Sequence, residues 1–186
     1  INNGFIQNIM FFNSLKIKDS KEILLDMIED ERGFFSRVFC INQMKENNIN
    51  TNIKQINNSF NKMKGTLRGF HYQTNGFEES KILRCVAGSF FNVTIDLRKQ
   101  SDTFCQVQTI TISSKKRNMI YIPKGCANAV QILDDNTEFL YFSSEFYSPD
   151  NERGVRWNDP YFNIKWPLVP TNISVKDQNI PNFIKE

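Results

Sequence analysis

SKILRCVAGSFFNVTIDLR, residues 80–98, decides the fold. Its second half alternates strictly. Phe91, Val93, Ile95 and Leu97 fall on one face, and Asn92, Thr94, Asp96 and Arg98 fall on the other, the period-two pattern of a β-strand. Gly88 supplies a turn, and the residues before it read as a second strand. The same unit recurs along the chain in SFNKMKGTLRGFHYQ (59–73), FCQVQTITIS (104–113), NMIYIPKG (118–125), ANAVQILDD (127–135) and TEFLYFSSEFY (137–147). Turn residues separate these segments at 113–114, 123–125 and 134–136. Many short strands at this spacing predict an all-β sandwich or barrel.

The flanks fit that core. DSKEILLDMIEDERGFFSRVF (19–39) reads as a strand, a turn at 30–33 and a second, aromatic strand, and FCINQMKENN (39–48) as a short helix. The last stretch, NDPYFNIKWPLVPTNISVKDQNIPNF (158–183), is rich in Pro and Asn. It is expected to wrap the barrel as an ordered tail, because Trp157, Phe162, Ile164 and Trp166 need cover. At 186 residues the chain is expected to form one domain, 10–186, after a nine-residue N-terminal extension (1–9), with Met10 as the native start.

Composition narrows the function classes. The 17 phenylalanines favour a pleated core. A net charge of +3, with Lys and Arg interleaved among Asp and Glu, lacks the basic stripe of a nucleic-acid binder but suits a small anionic ligand. No run of about 20 apolar residues predicts a membrane span, and residues 1–9 lack the basic start and cleavage site of a signal peptide. Cys40, Cys85, Cys105 and Cys126 contain no CxxC pair and read as thiols in a reducing compartment, so the cytoplasm is expected. One histidine cannot supply the two or three of a metal-binding β-barrel, and no Walker or dinucleotide glycine pattern appears. Neither metal nor cofactor is expected.

That one histidine, His71 in GTLRGFHYQ, is the side chain whose ordinary pKa suits a base near neutrality. Gly65 and Gly69 flank it, and glycine within a strand marks a bulge or a close approach. Arg68 stands three residues earlier, on the opposite side of a regular strand unless a bulge intervenes. Lys81 on the next strand could bring a cation near the base. A Ser-His-Asp hydrolase lacks its G-x-S-x-G elbow. Asp96 and Asp159 rival Asp177 as carboxylate partners of His71. Asp159 also reads as a turn residue before Pro160, and Asp96 as half of an ion pair.

DERGFF (30–35), GTLRGFHYQ, SKILRCVAGSFFNVTIDLRKQSDTF (80–104), YIPKGCANAVQILDDNTEFLY (121–141), FYSP (146–149), ERGVRWNDP (152–160), IKWP (164–167) and SVKDQNIP (174–181) together resemble the dTDP-4-dehydrorhamnose 3,5-epimerase family, in that order over about residues 12–182. The resemblance implies a cupin-type jelly-roll barrel, a homodimer, and a nucleoside-diphosphate 4-keto-6-deoxy sugar as substrate. It implies His71 as base, Asp177 as the carboxylate that orients it, Tyr141 as the acid on the other face of the sugar, and Lys81 as the cation near the enolate. It implies Arg32 and Arg68 as diphosphate contacts, Gln55 and Asn57 as polar contacts, Tyr147 as the ring stacked on the base, and Glu152 and Lys176 as further binding positions.

Two departures stand out. GCANAV carries Asn128 and Ala129 where the family has His and Gly; Asn128 can donate a hydrogen bond to substrate but cannot shuttle a proton. Arg37 stands where members often carry Glu, and offers donors where a carboxylate would accept. Expected, then, is an epimerase inverting C3, C5 or both. A C3-only epimerase, a keto-isomerase on the same substrates and a catalytically silent sugar-nucleotide-binding barrel are the alternatives.

Overall fold

The computed structural model describes residues 9–185, so the extension at 1–9 lies, apart from Ile9, outside the described residues. The chain opens with β1 (Met10–Ser14), β2 (Lys21–Leu25), the hairpin β3 (Met27–Asp30) and β4 (Gly33–Ser36), and helix α1 (Ile41–Glu46). Eight strands follow: β5 (Gln55–Asn61), β6 (Thr66–Gln73), β7 (Lys81–Ala87), β8 (Ser89–Asp96), β9 (Val107–Ser113), β10 (Asn118–Ile122), β11 (Cys126–Ile132) and β12 (Thr137–Ser143). Short elements β13 (Glu152–Gly154), β14 (Asn172–Ile173) and α2 (Val175–Gln178) lie in the tail.

Pairing among the eight is nested. First lies beside last and second beside seventh, giving β5-β12-β7-β10 in one sheet and β6-β11-β8-β9 in the other. That order is a jelly roll. β2 and β1 extend the first sheet beyond β10, while β13 flanks β6 in the second and β14 pairs with β6 in parallel.

Three apolar layers result. Between the sheets pack Leu83, Phe90, Ile112, Ile120, Ile122, Val130, Ile132 and Phe139, with the Phe90 and Phe139 rings 4.9 Å apart. Burying each such side chain contributes about 1.5–3 kcal/mol. Outside the first sheet, α1 lays Met44 over Ile23, Ile82 and Met119. Outside the second, Val155, Phe162, Ile164, Trp166 and Phe183 of the tail cover Phe70, Val93, Ile95, Ala127 and Ala129. The predicted wrapping tail is therefore present, and Trp166 Nε1 donates to Trp157 O at 3.0 Å.

The two faces of β8 are used in an unexpected way. Its apolar face, Val93 and Ile95, turns outward under the tail, and its polar face shares the inward side with Phe90. Asn92, Thr94 and Asp96 are all fully buried. Most of their polar atoms are partnered there, Asn92 Oδ1 being the exception with no hydrogen-bond partner among the described residues. Asn92 Nδ2 donates to Thr94 Oγ1, and Asp96 accepts from Arg98, Ser101 and Thr103. Burial alone would push the Asp96 carboxyl up, but these donors outweigh it and hold it at about 2.

Candidate active site

The site begins with a bulge. Asn128 of β11 pairs with His71 of β6, and Val130 pairs with Arg68, so two residues of β6 oppose one of β11. Such an insertion re-aims the side chains beside it. Arg68 and His71, on opposite sides of a regular strand, here line one cavity of about 910 Å³. Gly69 makes this possible, at φ +118°; a Cβ there would lie 2.6 Å from both Ala129 Cα and Asn128 O. Gly69→Ala is therefore expected to cost about 2–4 kcal/mol through backbone strain and clash. A thermal midpoint equal to wild type would refute this.

His71 is tied to the tail. Its Nε2 lies 2.7 Å from Asp177 Oδ1, and Asp177 Oδ2 accepts from Gly69 N at 3.2 Å. Asp177 sits in the single turn of α2, where the Ser174 side chain caps its N–H. Burial pushes the Asp177 carboxyl up, but the bonds from His71, Gly69 N and Ser174 prevail and hold it below its usual range. Its stabilising contribution is thus complete above the unfolded value of about 3.9 and is lost as pH falls through the lower folded value. Asp177→Asn is expected to lower Tm at neutral pH and to flatten the acid fall in Tm below about pH 4. An acid fall as steep as that of wild type would count against the pairing.

The rival carboxylates are occupied elsewhere. Asp96 pairs with Arg98 at 2.8 Å, and Asp159 accepts from Tyr161 N and Phe183 N in the tail.

Tyr141 and Lys81 enter the same cavity from β12 and β7, on the sheet facing His71. Burial, reinforced by the charges of Glu79 and Glu152, raises the Tyr141 phenol above its ordinary value, so it stays protonated through neutral pH. Lys81 Nζ lies 2.9 Å from Glu79 Oε1 and donates to Asn128 Oδ1 at 3.3 Å.

The remaining predicted residues gather at the mouth. Gln55, Asn57, Arg68, Tyr147, Glu152 and Lys176 all line the cavity. Arg68 Nε donates to Asn61 Oδ1 at 2.8 Å, a neutral anchor. Tyr147 OH donates to Glu152 Oε2 at 2.8 Å, and Lys176 pairs with the same oxygen. Gln55 Oε1 accepts from Tyr147 N at 2.8 Å, so its side chain braces the mouth loop.

Arg32 alone is not brought in. It stands at the tip of the β3–β4 hairpin, 83% exposed and paired with Asp30, outside the cavity. The hairpin packs Phe34 under the Arg117 guanidinium at 4.0 Å, and none of its residues lines the cavity.

Sequence reasoning overlooked Glu79, Asn61, Gln73 and Ser174. Glu79 and Gln73 each stand two residues from a candidate, Lys81 and His71, so the strand period already placed them alongside. Gln73, 3% exposed, accepts from Ser148 N and donates to Phe146 O and Phe77 O, fixing the loop that carries Tyr147. Among the described residues no three His, Cys, Asp or Glu side chains gather as metal ligands would.

Solved structures share this barrel. The dTDP-4-dehydrorhamnose 3,5-epimerase of Bacillus anthracis with TDP and PPi bound superposes with a TM-score of 0.91 at 30% identity, over 94% of this chain and 100% of that one. A Legionella pneumophila 3,5-epimerase in complex with dTDP-4-keto-L-rhamnose gives 0.85 at 33%, over 91% and 90%. Barrel and relatives together define the class, a cupin-type epimerase and hence an isomerase. The family model for dTDP-4-dehydrorhamnose 3,5-epimerase matches residues 14–185, and the Shigella flexneri enzyme of that name is 38% identical over 156 residues, 83% of this chain and 86% of its own length. The chain belongs to the dTDP-4-dehydrorhamnose 3,5-epimerase family.

Proposed function

We propose that this chain inverts C3 and C5 of a nucleoside-diphosphate 4-keto-6-deoxy sugar, with His71 as base and Tyr141 as acid. One observation carries the reading: a His–Asp pair and a phenol enter a single cavity from opposing sheets. The ketone acidifies the neighbouring C–H. His71 takes that proton, the electron pair moves onto the C4 oxygen, and the enolate is held by Lys81. Tyr141 then delivers a proton to the other face of the carbon, and solvent resets both residues. Asp177 keeps the imidazole in the tautomer that can accept and stabilises the imidazolium that forms. Arg68 takes the diphosphate, Tyr147 stacks on the nucleobase, and Gln55, Asn57, Asn128, Glu152 and Lys176 supply polar contacts.

The test is incubation with dTDP-4-keto-6-deoxyglucose in deuterated water, read by mass spectrometry and by NMR of the product. Two deuterium atoms gained, with both centres inverted, is the expected result. One atom would establish the C3-only alternative, which the neutral Asn128 favours. A shifted carbonyl would mean a keto-isomerase. No gain on dTDP-, GDP-, UDP- or CDP-linked keto sugars would leave the silent binding barrel.

The proposed assembly is a homodimer in the cytoplasm. β5 is a sheet edge whose Ile56 and Phe60 are 59% and 51% exposed, and the hairpin adds Phe34 and Phe35. A second copy would remove that apolar surface from water, and Arg32 would reach substrate only across such an interface. Sedimentation at micromolar concentration should give twice the chain mass; a monomer would sink the assembly. All four cysteines are free, which suits a reducing compartment.

A further inference from the structure

Lys81 is held from two sides. Glu79 precedes it by two residues, so an extended backbone sets both side chains on the same face. Both are largely buried, at 13% and 14% exposure, and the carboxylate meets the ammonium at 2.9 Å. Glu79 is itself braced, because Ser143 Oγ donates to its other oxygen. Ser143 faces Lys81 across the β12–β7 pair, and Ser80 and Ser144 exchange bonds beside them, so the corner is rigid. From the opposite sheet Asn128 offers its amide oxygen, the only end of an amide that can meet an ammonium. An ammonium has three N–H groups. Two are committed, and one is left.

We propose that Glu79 is a positioning residue which, with Asn128, fixes the Lys81 ammonium so that its remaining N–H addresses the ketone oxygen of the substrate. This rests on the epimerase reading above. The charge arrangement sets Lys81 apart from Arg68. Arg68, anchored by the neutral Asn61, keeps its full charge for a ligand that is anionic throughout. Lys81, compensated by Glu79, makes a poor phosphate site but a good fixed donor, because the C4 oxygen gains its charge only as the proton leaves. A donor preorganised for that moment acts on kcat, with little effect on ground-state binding. A free lysine on its four-carbon stem would have to be ordered in each turnover.

The experiment measures kcat, KM and deuterium exchange with dTDP-4-keto-6-deoxyglucose for the full chain carrying Glu79→Leu, Glu79→Gln, Lys81→Met and the Glu79→Leu/Lys81→Met pair. Glu79→Leu is expected to lower kcat about 30-fold with KM within about threefold, and Lys81→Met to lower it about 100-fold. Glu79→Gln keeps an acceptor for the ammonium and is expected to stay within about fivefold of wild type. The double variant should be no slower than Lys81→Met alone, because Glu79 acts through Lys81. Should Glu79→Leu not fold, Ser143→Ala removes the brace instead and should show the same non-additivity with Lys81→Met. Wild-type kcat in Glu79→Leu, or a double variant slower by the full Glu79→Leu factor, would overturn the proposal. A wild-type protein that exchanges no keto sugar nucleotide would overturn the parent reading, and this one with it.

Discussion

His71→Asn is expected to lower kcat about 1,000-fold while the Kd for the sugar nucleotide stays within about threefold. The asymmetry follows from where the residue sits. His71 is the only histidine in the chain, so no second imidazole can replace it. The diphosphate and nucleobase are assigned to Arg68 and Tyr147, whose anchors are Asn61, Glu152 and Gln55. Asparagine is polar and smaller than imidazole, so it fits the cavity wall without a clash, and Asp177 keeps its bond from Gly69 N. It cannot take up a proton near neutrality. A thousandfold loss is about 4 kcal/mol of transition-state stabilisation, within what one general base supplies. Deuterium exchange at C3 and C5 should vanish together with inversion. Binding that fell in step with turnover would make His71 a contact residue, and turnover within tenfold of wild type would end the proton-abstraction scheme.

Much of this arrangement is legible in the chain, and what is not has a physical reason. The strands are local objects whose period-two patterns survive folding, so segments such as FNVTIDLR and TEFLYFSS are found where the alternation puts them. The direction each face takes is not local. The polar side of β8 is buried, with Asn92 donating to Thr94 and Asp96 accepting from Arg98, Ser101 and Thr103, while the apolar side meets a tail some 70 residues further on. Alternation specifies two faces but not which of them meets the other sheet. The bulge at Gly69 was hinted at by the glycine alone; its consequence, Arg68 and His71 in one cavity, depends on Ala129 approaching so closely that no side chain fits. Asp177 reaches His71 across a separation of 106 residues through the parallel pairing of β14 with β6, which no local pattern encodes. Arg32 marks the limit of carrying roles over by motif. DERGFF matches as sequence, yet none of its residues lines the cavity of its own chain.

The departures at Asn128 and Arg37 have different standing once the geometry is known. Asn128 is in the cavity, with its oxygen on Lys81 and its register partner His71 on the neighbouring strand. Its neutrality therefore bears on the proton-transfer chemistry, and on the number of centres inverted. Arg37 follows β4, beyond the same hairpin as Arg32. Its effect on nucleotide choice depends on the proposed dimer bringing that hairpin to a second cavity. The two substitutions should accordingly separate in experiment, Asn128 altering product stereochemistry and Arg37 altering nucleotide preference.

Tyr141→Phe is expected to part exchange from inversion. The variant loses only the hydroxyl, so the ring still fills its place beside Phe139, 6.4 Å away in wild type. His71, Asp177 and Lys81 are untouched, so the proton beside the ketone should still leave and the enolate should still form. Without the phenol no acid stands on the opposite face, and the carbanion can be quenched only by the imidazolium that holds the original proton. If that imidazolium exchanges with solvent first, it returns deuterium to the same face. The substrate then becomes labelled without changing configuration. Inverted product is expected to fall about 100- to 1,000-fold, the usual contribution of a positioned acid, while label entering uninverted substrate falls about tenfold at most. Wild type should show the reverse, with label found mainly in inverted product. The raised pKa of the Tyr141 phenol, set by burial with Glu79 and Glu152 nearby, keeps the acid form populated, so this partition should hold without change from pH 6 to pH 9. If Tyr141→Phe loses exchange and inversion equally, Tyr141 takes part in removing the proton, and the assignment of base to one sheet and acid to the other must be reversed or merged. If it inverts at the wild-type rate, the acid is another group on that wall, where Lys81 of the same sheet lines the cavity and could serve.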